Sequence, residues 1–321
     1  MRKELTAAGI TDPWLARSYS ICRRLNAEHG KTYYLATLLL PPAKRPFVHA
    51  LYGFARYADE IVDAFGDQSV DQRRSALAHL RRRLYEALDR GRAAEPVLAA
   101  VTDTALRWNI TQDTFEAFLH SMEMDLTVTH YQTFEDLYEY VYGSAAVIGL
   151  QMLPILEPSE REACAVGARN LGIAFQLANF IRDIDEDLQR GRIYLPLQEL
   201  AEHSVTRETL MTRVVDDNLR AALAAQIERV RQLSQDAQPT IPLLHPSVQD
   251  TIEAARILYC GIADRVEEID YQIFEQRAKV PTGRRLQVAG PRWLAAERAR
   301  RRFGPGLIPP ARRPYATGVA H

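Results

Sequence analysis

The sequence of 321 residues predicts an all-α fold, and three observations support this expectation. Apolar residues recur at helical spacing over most of the chain. The sequence lacks the sustained alternation of apolar and polar residues that indicates strands. Prolines and glycines separate the helical segments at short intervals. We therefore expect about ten to twelve helices and few strands or none.

The helical segments differ in how they distribute their apolar residues. Residues 77–88 place leucines on one face among arginines and acids, which is typical of a helix with one face in the core. Residues 140–156 are apolar, but glycine, serine and glutamine interrupt them, so we expect a buried core helix instead of a membrane span. The clearest helices are expected over residues 46–64, 77–88, 115–122, 140–156, 161–187 and 219–233.

Composition divides the chain into a folded part and a tail. No linker of Gly/Ser type interrupts residues 1–290, which we expect to form one all-helical domain. Residues 291–321 are rich in Pro, Gly and Arg, and we expect a poorly ordered basic tail there. A basic tail is a candidate for contact with an anionic membrane surface.

Charge and cysteine content exclude several classes of protein. The formal net charge of -1 gives no support to a nucleic-acid partner. Cys22, Cys164 and Cys260 are far apart, which argues against a disulfide framework and structural zinc and favours a reducing compartment. The N-terminus shows no signal peptide, so we expect a cytoplasmic location. Neither a GxGxxG nor a GxxxxGK[ST] run occurs, so no nucleotide-binding fingerprint is visible.

A polar stripe runs along the first of two helices that are otherwise apolar. Tyr52, Arg56, Asp59 and Asp63 are spaced i, i+4, i+7 and i+11, which puts them on one face of the helix over residues 46–64. A helix that is apolar nearly all round is buried. Because buried carboxylates are unfavourable unless cations neutralise them, the stripe predicts a functional site.

The helix expected over residues 161–187 carries a second stripe of the same kind. Its members are spaced i, i+4, i+7, i+11 and i+15, and they are Gly172, Gln176, Asn179, Asp183 and Asp187. The rest of this helix is again mostly apolar, with Arg182 beside the acids. Two acid-bearing stripes on two apolar helices favour a shared site over a chance occurrence.

The two Asp-x-x-x-Asp pairs predict magnesium binding. Each pair places two carboxylates one helical turn apart, and magnesium is usually held by one or two carboxylates together with waters and substrate phosphates. Two such helices with arginines between them suit a diphosphate bridged by magnesium ions. A solvated acidic helix end is the structural alternative. A di-iron carboxylate bundle is the competing metal site, but it needs Glu-x-x-His pairs, and none occurs in this sequence.

At these stripes the sequence resembles a known family. The run LGIAFQLANFIRDIDEDLQRGRIYLP, residues 171–196, resembles the second signature of the squalene/phytoene synthase family. The run ALYGFARYADEIVD, residues 50–63, is similar to the family's first aspartate motif. The run YVYGSAAVIG, residues 140–149, resembles its first signature, but it departs at Val141, where a smaller residue or Cys is usual, and at Ala146, where Gly is common.

Two further segments extend the resemblance over residues 18–286. The run HGKTYYLATLLLP, residues 29–41, is similar to the family's N-terminal substrate segment, although Gly30 stands where the family often has Ser. The run LYCGIADRVEEIDYQIFEQRAKVP, residues 258–281, resembles its C-terminal helix. The resemblance implies a single all-α isoprenoid-synthase (terpenoid synthase) domain, with the two aspartate motifs facing each other across the mouth of a central hydrophobic cavity.

The resemblance also implies roles for individual residues. Magnesium, or manganese in its place, would be held by Asp59, Asp63, Asn179, Asp183 and Asp187. The substrate diphosphate would be bound by Arg56, Gln176, Asn179, Arg182, Arg277, Lys31 and Tyr33. The cavity would be lined by Tyr52, Tyr140 and Tyr259. These tyrosines and the four aspartates are the predicted catalytic residues, since aromatic faces stabilise cations.

The implied activity is that of a prenyltransferase of carotenoid biosynthesis. The wording of the motifs is closest to the bacterial phytoene-forming subgroup, which implies head-to-head condensation of two geranylgeranyl diphosphates through prephytoene diphosphate to phytoene, without NADPH. The alternative is a dehydrosqualene, squalene or presqualene diphosphate synthase that uses farnesyl diphosphate, because cavity depth sets the chain length. A non-catalytic helical interaction protein is disfavoured because all four motif acids are present.

The resemblance also implies the partners of this protein. They are prenyl diphosphate substrates, and downstream carotenoid enzymes are further candidates. Because substrate and product are long hydrocarbons, a cytoplasmic protein of this kind is expected to make peripheral contact with the inner face of the membrane.

Overall fold

The computed structural model describes residues 1–63 and 68–310, except for the side chains of residues 31 and 32. All regular secondary structure in this part of the chain is helical. The bridge between His130 and Ile193 is isolated and belongs to no strand. The prediction of an all-α fold is therefore confirmed.

Fifteen α-helices, one π-helical segment and one 3₁₀ helix make up the described chain. The α-helices are α1 (Arg2–Ala7), α2 (Pro13–His29), α3 (Lys31–Thr37), α4 (Arg45–Val62), α5 (Val70–Arg90), α6 (Pro96–Trp108), α7 (Gln112–Met124), α8 (Phe134–Val141), α9 (Val147–Leu156), α10 (Arg161–Gln189), α11 (Leu197–Glu202), α12 (Arg207–Met211), α13 (Asp217–Ala237), α14 (Pro246–Glu268) and α15 (Thr282–Phe303). The π-helical segment Tyr142–Ala146 joins α8 to α9, and the 3₁₀ helix Gln238–Leu243 joins α13 to α14.

The number of helices exceeds the expected ten to twelve because several are short. Helices α1, α3, α11 and α12 contain five to seven residues each. A helix of two turns or fewer leaves too few apolar positions for a periodic pattern. The sequence placed α4, α5, α7, α10 and α13 correctly. It did not indicate α15, and α14 ends at Glu268 instead of continuing to residue 281.

Helix α4 presents the first polar stripe. It begins at Arg45 with Pro46 in its first turn, where the missing N–H of proline has no partner to lose. Its first three turns are almost wholly buried. Asp63 follows the last helical residue, and its backbone N–H donates to the carbonyl of Asp59 at 2.8 Å. Residue 64, the expected end of this helix, lies outside the described residues.

Helix α10 presents the second polar stripe and packs against α9, α13 and α14. It is 29 residues long. Gly172 allows the π-helical segment to come close, because a Cβ at this position would lie 2.5 Å from the carbonyl oxygen of Ala145. Gly149 on α9 has the same effect, since its Cβ would overlap the carbonyl of Ala168 on α10. These close contacts set the acid-bearing half of α10 beside the other elements of the site.

Two hydrophobic clusters form the core. One includes the apolar residues of α2, α4, α6 and α7, and the other those of α10, α13 and the end of α14. Tyr142 packs against both clusters. Residues 140–156, expected to be a buried core helix, are divided between α8, the π-helical segment and α9, and they bury Val141, Ala146 and Ile155. Among the described residues no helix is long and apolar enough to cross a membrane.

The C-terminal part differs from the predicted tail. Helix α15 runs through residue 290, where the sequence suggested a division between domain and tail, so that boundary does not coincide with the end of a helix. Val288 packs in a small cluster with Leu39 and Ala254, and Ala296 is fully buried. These contacts hold a segment whose composition alone suggests disorder. Residues 311–321 lie outside the described residues.

Candidate active site

A long apolar cavity of about 360 Å³ lies between the two hydrophobic clusters. Helix α10 forms one wall, from Cys164 at one end to Asn179 at the other. At a rise of 1.5 Å per residue this wall is about 22 Å long. The remaining walls come from α3, α4, the π-helical segment, α9, the 3₁₀ helix and α14. A cavity of this shape suits an extended hydrocarbon chain.

The cavity opens into a polar mouth at the Asn179 end. Both spaces are lined by Tyr33, Tyr52, Asn179 and Tyr259, so these four residues stand at the boundary between them. The mouth contains a group of basic side chains, namely His29, Arg182, Arg277, Lys279 and Arg285. A hydrocarbon chain can therefore lie in the apolar cavity while its anionic group stays in the cationic mouth.

The first aspartate pair lies at the end of α4. Arg56 donates to Asp59 Oδ2 at 2.6 Å and to Glu60 Oε1 at 3.2 Å. Burial, followed by the neighbouring charge of Asp63, raises the pKa of Asp59 to about 6, although Arg56 opposes the rise. Asp59 is thus a carboxylate whose charge is poorly stabilised by the protein alone.

The second aspartate pair is held by arginines on one side only. Asp183 accepts from Arg182 Nε at 2.7 Å and pairs with Arg277 at 2.6 Å, and Arg277 also pairs with Glu186 at 2.9 Å. Among the described residues Asp187, one turn later, forms no such ion pair. Burial and the charge of Asp183 raise the pKa of Asp187 to about 7, although Arg190 and Arg192 lie near enough to offset part of the rise. Each pair therefore contains one carboxylate that gains from added positive charge.

The oxygen donors of the two aspartate pairs and of Asn179 fit magnesium. Carboxylate and amide oxygens are its preferred protein ligands, and the side-chain oxygen of Asn179 is buried without a hydrogen-bond partner. Among the described residues no three His, Cys, Asp or Glu side chains converge to hold a metal unaided. Magnesium at these pairs thus needs further ligands from substrate phosphate and water, which is its usual mode of binding.

The three tyrosines of the boundary are placed by contacts with neighbouring side chains. Tyr52 and Tyr33 have ring centroids 5.3 Å apart, and Tyr259 stacks on Phe175 at 4.5 Å. Tyr33 donates to the sulfur of Met152 at 3.1 Å. The structure thus brings together three tyrosines that the sequence placed in the site. The predicted Gln176 also lines the cavity, whereas the side chain of Lys31 lies outside the described part.

Gly30, which stands where related sequences often have Ser, lies directly under Tyr52. A Cβ at this position would be 2.6 Å from Cζ of the Tyr52 ring. The ring therefore occupies the space that a larger residue would need. The small size of Gly30 and the bulk of the Tyr52 ring are therefore complementary at the edge of the mouth.

Tyr140 does not line the cavity as expected. It is buried, and its hydroxyl donates to Asp125 Oδ2 at 2.7 Å. Its ring packs against Tyr131, Phe180 and Tyr194. Burial raises the pKa of Tyr140 well above its usual value. The side chain turns toward the second hydrophobic cluster because Asp125 supplies a partner for its hydroxyl there.

Asp125 is the main residue that the sequence did not reveal. Besides the Tyr140 bond, Asp125 Oδ1 accepts from the hydroxyl of Tyr194 at 3.1 Å, and its carbonyl accepts from Arg192 at 2.7 Å. Its negative charge contributes to the raised pKa of Asp59. A single acid after an amphipathic helix gives no pattern that would identify it.

The basic residues of the mouth were only partly predicted. Arg182 and Arg277 were expected, whereas Lys279 and Arg285 were not. The signal was present as a run of basic residues after α14, but such a run is usually a solvated segment. Only the approach of this segment to Tyr259 and Asn179 places it in the mouth.

Small residues in a cavity wall can allow helices to pack closely and can leave space for a ligand. Both roles are seen at Ser144, Ala145 and Gly149. All three line the cavity. Ala145 and Gly149 also make the close contacts with α10 described above. Small side chains here therefore bring the walls together and leave space between them.

An all-helical fold with an apolar cavity, a cationic mouth and two aspartate pairs is the architecture of isoprenoid synthases. The family described as squalene/phytoene synthase matches residues 26–284. This chain belongs to the squalene/phytoene synthase family.

Named relatives cover most of the chain. A 15-cis-phytoene synthase of Synechococcus elongatus is 36% identical over 283 residues, which are 85% of this chain and 91% of the relative. A phytoene synthase of Arthrospira platensis is 36% identical over 281 residues, covering 84% of this chain and 90% of the relative. The resemblance found in the motifs is thereby confirmed.

Solved structures show the same fold. A dehydrosqualene synthase in complex with a ligand superposes with a TM-score of 0.80 at 26% identity, covering 88% of this chain and 98% of that chain. A squalene synthase from Alicyclobacillus acidocaldarius gives a TM-score of 0.75 at 26% identity, covering 83% and 98%.

Proposed function

We propose that this chain is a magnesium-dependent prenyltransferase that joins two geranylgeranyl diphosphates head-to-head, through prephytoene diphosphate, to phytoene. The observation that carries the proposal is a cationic mouth at one end of a long apolar cavity, with Asp183 paired to two arginines of that mouth. Burial raises the pKa of the boundary residue Tyr52, and Asp59 lies close enough to contribute to this rise. The relatives named as phytoene synthases support the choice of substrate and product. No reductant is required, because the reaction ends with loss of a proton.

Ionisation of the first substrate begins the reaction. Arg182, Arg277, Lys279 and Arg285 line the mouth and would stabilise the negative charge of the departing diphosphate. Guanidinium groups suit this role because they pair with two phosphate oxygens at once. The carbon–oxygen bond breaks, and the electron pair leaves with the diphosphate.

Magnesium, or manganese in its place, would be held by the oxygens of Asp59, Asp63, Asp183, Asp187 and Asn179 and would supply Lewis-acid assistance to this bond cleavage. The raised pKa values of Asp59 and Asp187 support this assignment. Both carboxylates would ionise fully once positive charge is bound beside them.

The cavity protects the cations that follow. The aromatic rings of Tyr52, Phe175 and Tyr259 line the wall near the mouth, where they stabilise an allylic cation by cation–π interaction. The apolar wall excludes water that would otherwise capture the cation. The double bond of the second substrate attacks, proton loss closes a cyclopropane ring, and a second ionisation and proton loss give the linear hydrocarbon.

Farnesyl diphosphate is the alternative substrate. The solved structures named as squalene and dehydrosqualene synthases favour it, whereas the more similar relatives favour the longer chain. Binding of a long hydrocarbon also motivates a proposed location in the cytoplasm with peripheral membrane contact.

The test is a product assay with the purified chain. With geranylgeranyl diphosphate and magnesium, and without NADPH, we expect phytoene in the hydrocarbon extract and its loss on addition of EDTA. A C30 hydrocarbon from farnesyl diphosphate alone would refute the chain length but keep the mechanism. No product from either substrate, with or without NADPH, would refute the enzymatic proposal and favour a non-catalytic helical protein.

A further inference from the structure

Helix α15 has an exposed apolar face. Leu286, Trp293 and Leu294 are spaced i, i+7 and i+8, so they lie on one side of the helix, and their exposed fractions are 68%, 49% and 50%. The opposite side carries Val288 and Ala296, which are buried. We call Leu286, Trp293 and Leu294 the outer face of α15. Large apolar side chains clustered on an outward face mark an interaction surface.

Basic residues accompany the outer face. Helix α15 contains seven arginines and a single acid, Glu297. Glu297 is already paired with Arg300 at 3.2 Å and Arg301 at 3.4 Å. Arg298 is exposed, and 80% of the Arg301 side chain is exposed. The formal charge of the whole chain is -1, so this positive charge is local to the helix.

The outer face begins at the mouth of the cavity. Arg285, in the first turn of α15, lines the mouth, and Leu286 next to it is exposed. The segment that follows α3 packs on α15, since Leu39 clusters with Val288 and its carbonyl accepts from Arg300. Leu35, one turn before Leu39, adds a further exposed apolar side chain of the same kind, 54% accessible. The apolar surface and the entrance for substrate are therefore neighbours.

We propose that the outer face of α15 docks this protein on an anionic lipid bilayer, with the mouth of the cavity beside the membrane. An amphipathic helix with Trp and Leu on one side and arginines at its end lies in the bilayer interface. The negative surface potential of anionic lipids attracts arginines and makes the free energy of membrane binding more favourable. The purpose of this docking rests on the proposed function, whereas the membrane binding itself does not. Under that function, a prenyl chain would pass from the bilayer into the cavity without crossing water.

Charge favours a bilayer over a second copy of this chain. A symmetric dimer through the outer face would place α15 against α15, because a two-fold interface uses the same patch on both subunits. That contact would bring together two helices with seven arginines each, of which Arg292 is offset by Asp250 and Glu253 and the others by Glu297 alone within the helix. An anionic surface has the opposite charge and needs no such offset.

The test is flotation of the full chain with vesicles, without substrate. We expect binding to vesicles of phosphatidylcholine with about a third phosphatidylglycerol, and weaker binding to phosphatidylcholine alone. Replacing the outer face in a Leu286→Ser/Trp293→Ser/Leu294→Ser variant should lower the partition coefficient by at least about tenfold. An Arg298→Glu/Arg301→Glu variant should lower it by about fivefold per arginine on the anionic vesicles.

The matched control replaces exposed apolar residues elsewhere. Met211 and Val214 are 57% and 61% exposed, and Met211→Ser/Val214→Ser should leave vesicle binding unchanged. Unchanged binding of the outer-face variant, or no binding of the wild-type chain to either vesicle, would overturn the proposal. If the wild-type chain does not bind vesicles but forms a dimer in sedimentation that the outer-face variant loses, the outer face binds a second copy of this chain instead. Turnover of detergent-dispersed substrate reports separately on the proposed function, and the outer-face variant should keep it within about twofold.

Discussion

Replacing Asp187 by Asn should make the protein more stable and less active at the same time. In the absence of magnesium, Asp187 is a partly buried carboxylate beside Asp183, and its pKa is raised to about 7. The ionised form is therefore disfavoured in the folded state relative to the unfolded chain. An amide at this position removes the buried charge and keeps the shape of the side chain.

The magnitude follows from the pKa. One unit of pKa corresponds to about 1.4 kcal/mol, so the rise from 3.8 to about 7 sets an upper bound of about 4 kcal/mol. Because Asp187 keeps part of its surface in water, screening reduces the expected gain to on the order of 1–2 kcal/mol. At about 2 °C per kcal/mol for a chain of this size, the melting temperature should rise by about 2–4 °C at pH 8.

The sign of the pH dependence is fixed by the same pKa. Between pH 4 and 7 the folded state binds more protons at Asp187 than the unfolded state, so the stability of the metal-free wild-type protein should fall as the pH rises through this range. The Asp59 pKa of about 6 acts in the same direction over a narrower range. In Asp187→Asn the fall from pH 5 to pH 8 should be smaller.

These predicted melting temperatures can be measured by thermal unfolding followed by circular dichroism, with and without magnesium. Magnesium at pH 8 should stabilise the wild-type protein and have much less effect on Asp187→Asn, whose turnover should fall by on the order of a hundredfold. The control is Asp185→Asn on the same helix, because Asp185 pairs with Arg213 and has no role in the proposed site. A lower melting temperature for Asp187→Asn at pH 8 without magnesium, or a magnesium response equal to that of the control, would refute the reasoning.

Four further substitutions probe the site. Asp183→Asn should reduce turnover by on the order of a hundredfold with unchanged helix content by circular dichroism; wild-type turnover would remove the second stripe from the mechanism. Arg277→Lys should raise KM for the diphosphate by about tenfold, since Lys lacks the planar fork with which a guanidinium pairs side by side with two phosphate oxygens; an unchanged KM would place Arg277 outside the substrate contacts. Ala168→Phe should lower kcat/KM for geranylgeranyl diphosphate more than for farnesyl diphosphate, because Ala168 lines the wall far from Asn179; equal losses would contradict that depth. Gly149→Ala should lower the free energy of unfolding by about 1–3 kcal/mol in a denaturant titration, since its Cβ would overlap the Ala168 carbonyl; an unchanged midpoint would show that the helices can separate freely.

The two long helices of the site were predictable because their sequence periods are strong. Both α4 and α10 combine an apolar girth with one polar stripe, and their observed bounds differ by only a few residues from those expected. Helix α15 was missed because its arginines and Pro291 resemble a disordered tail. Packing of Val288 and Ala296 supplies the stabilisation that the local sequence does not show. A periodic sequence pattern does not show which elements pack against each other in the tertiary structure.

The same division holds within the site. Asp59, Asp183 and Asp187 could be proposed as site residues from their spacing, because carboxylates on buried helices have few structural explanations. Tyr140 could not, because the direction of a buried tyrosine depends on where its hydroxyl finds a partner. That partner is Asp125, which lies 15 residues earlier in the chain and belongs to no motif.

The ion pairs around Asp183 suggest how the mouth changes when substrate arrives. Arg182 and Arg277 both contact Asp183, whereas among the described residues Asp187 forms no ion pair with an arginine side chain and is only partly compensated by the charges of Arg190 and Arg192. A diphosphate in the mouth would compete for the two guanidinium groups, and Asp183 would then lose the positive charge that neutralises it. Magnesium beside Asp183 and Asp187 would replace that charge. Under the proposed function, substrate and metal should therefore bind with positive cooperativity, and each should raise the affinity for the other by the same factor. Titration calorimetry with a non-hydrolysable diphosphate, with and without magnesium, measures that factor, and independent binding of the two would contradict this exchange of partners.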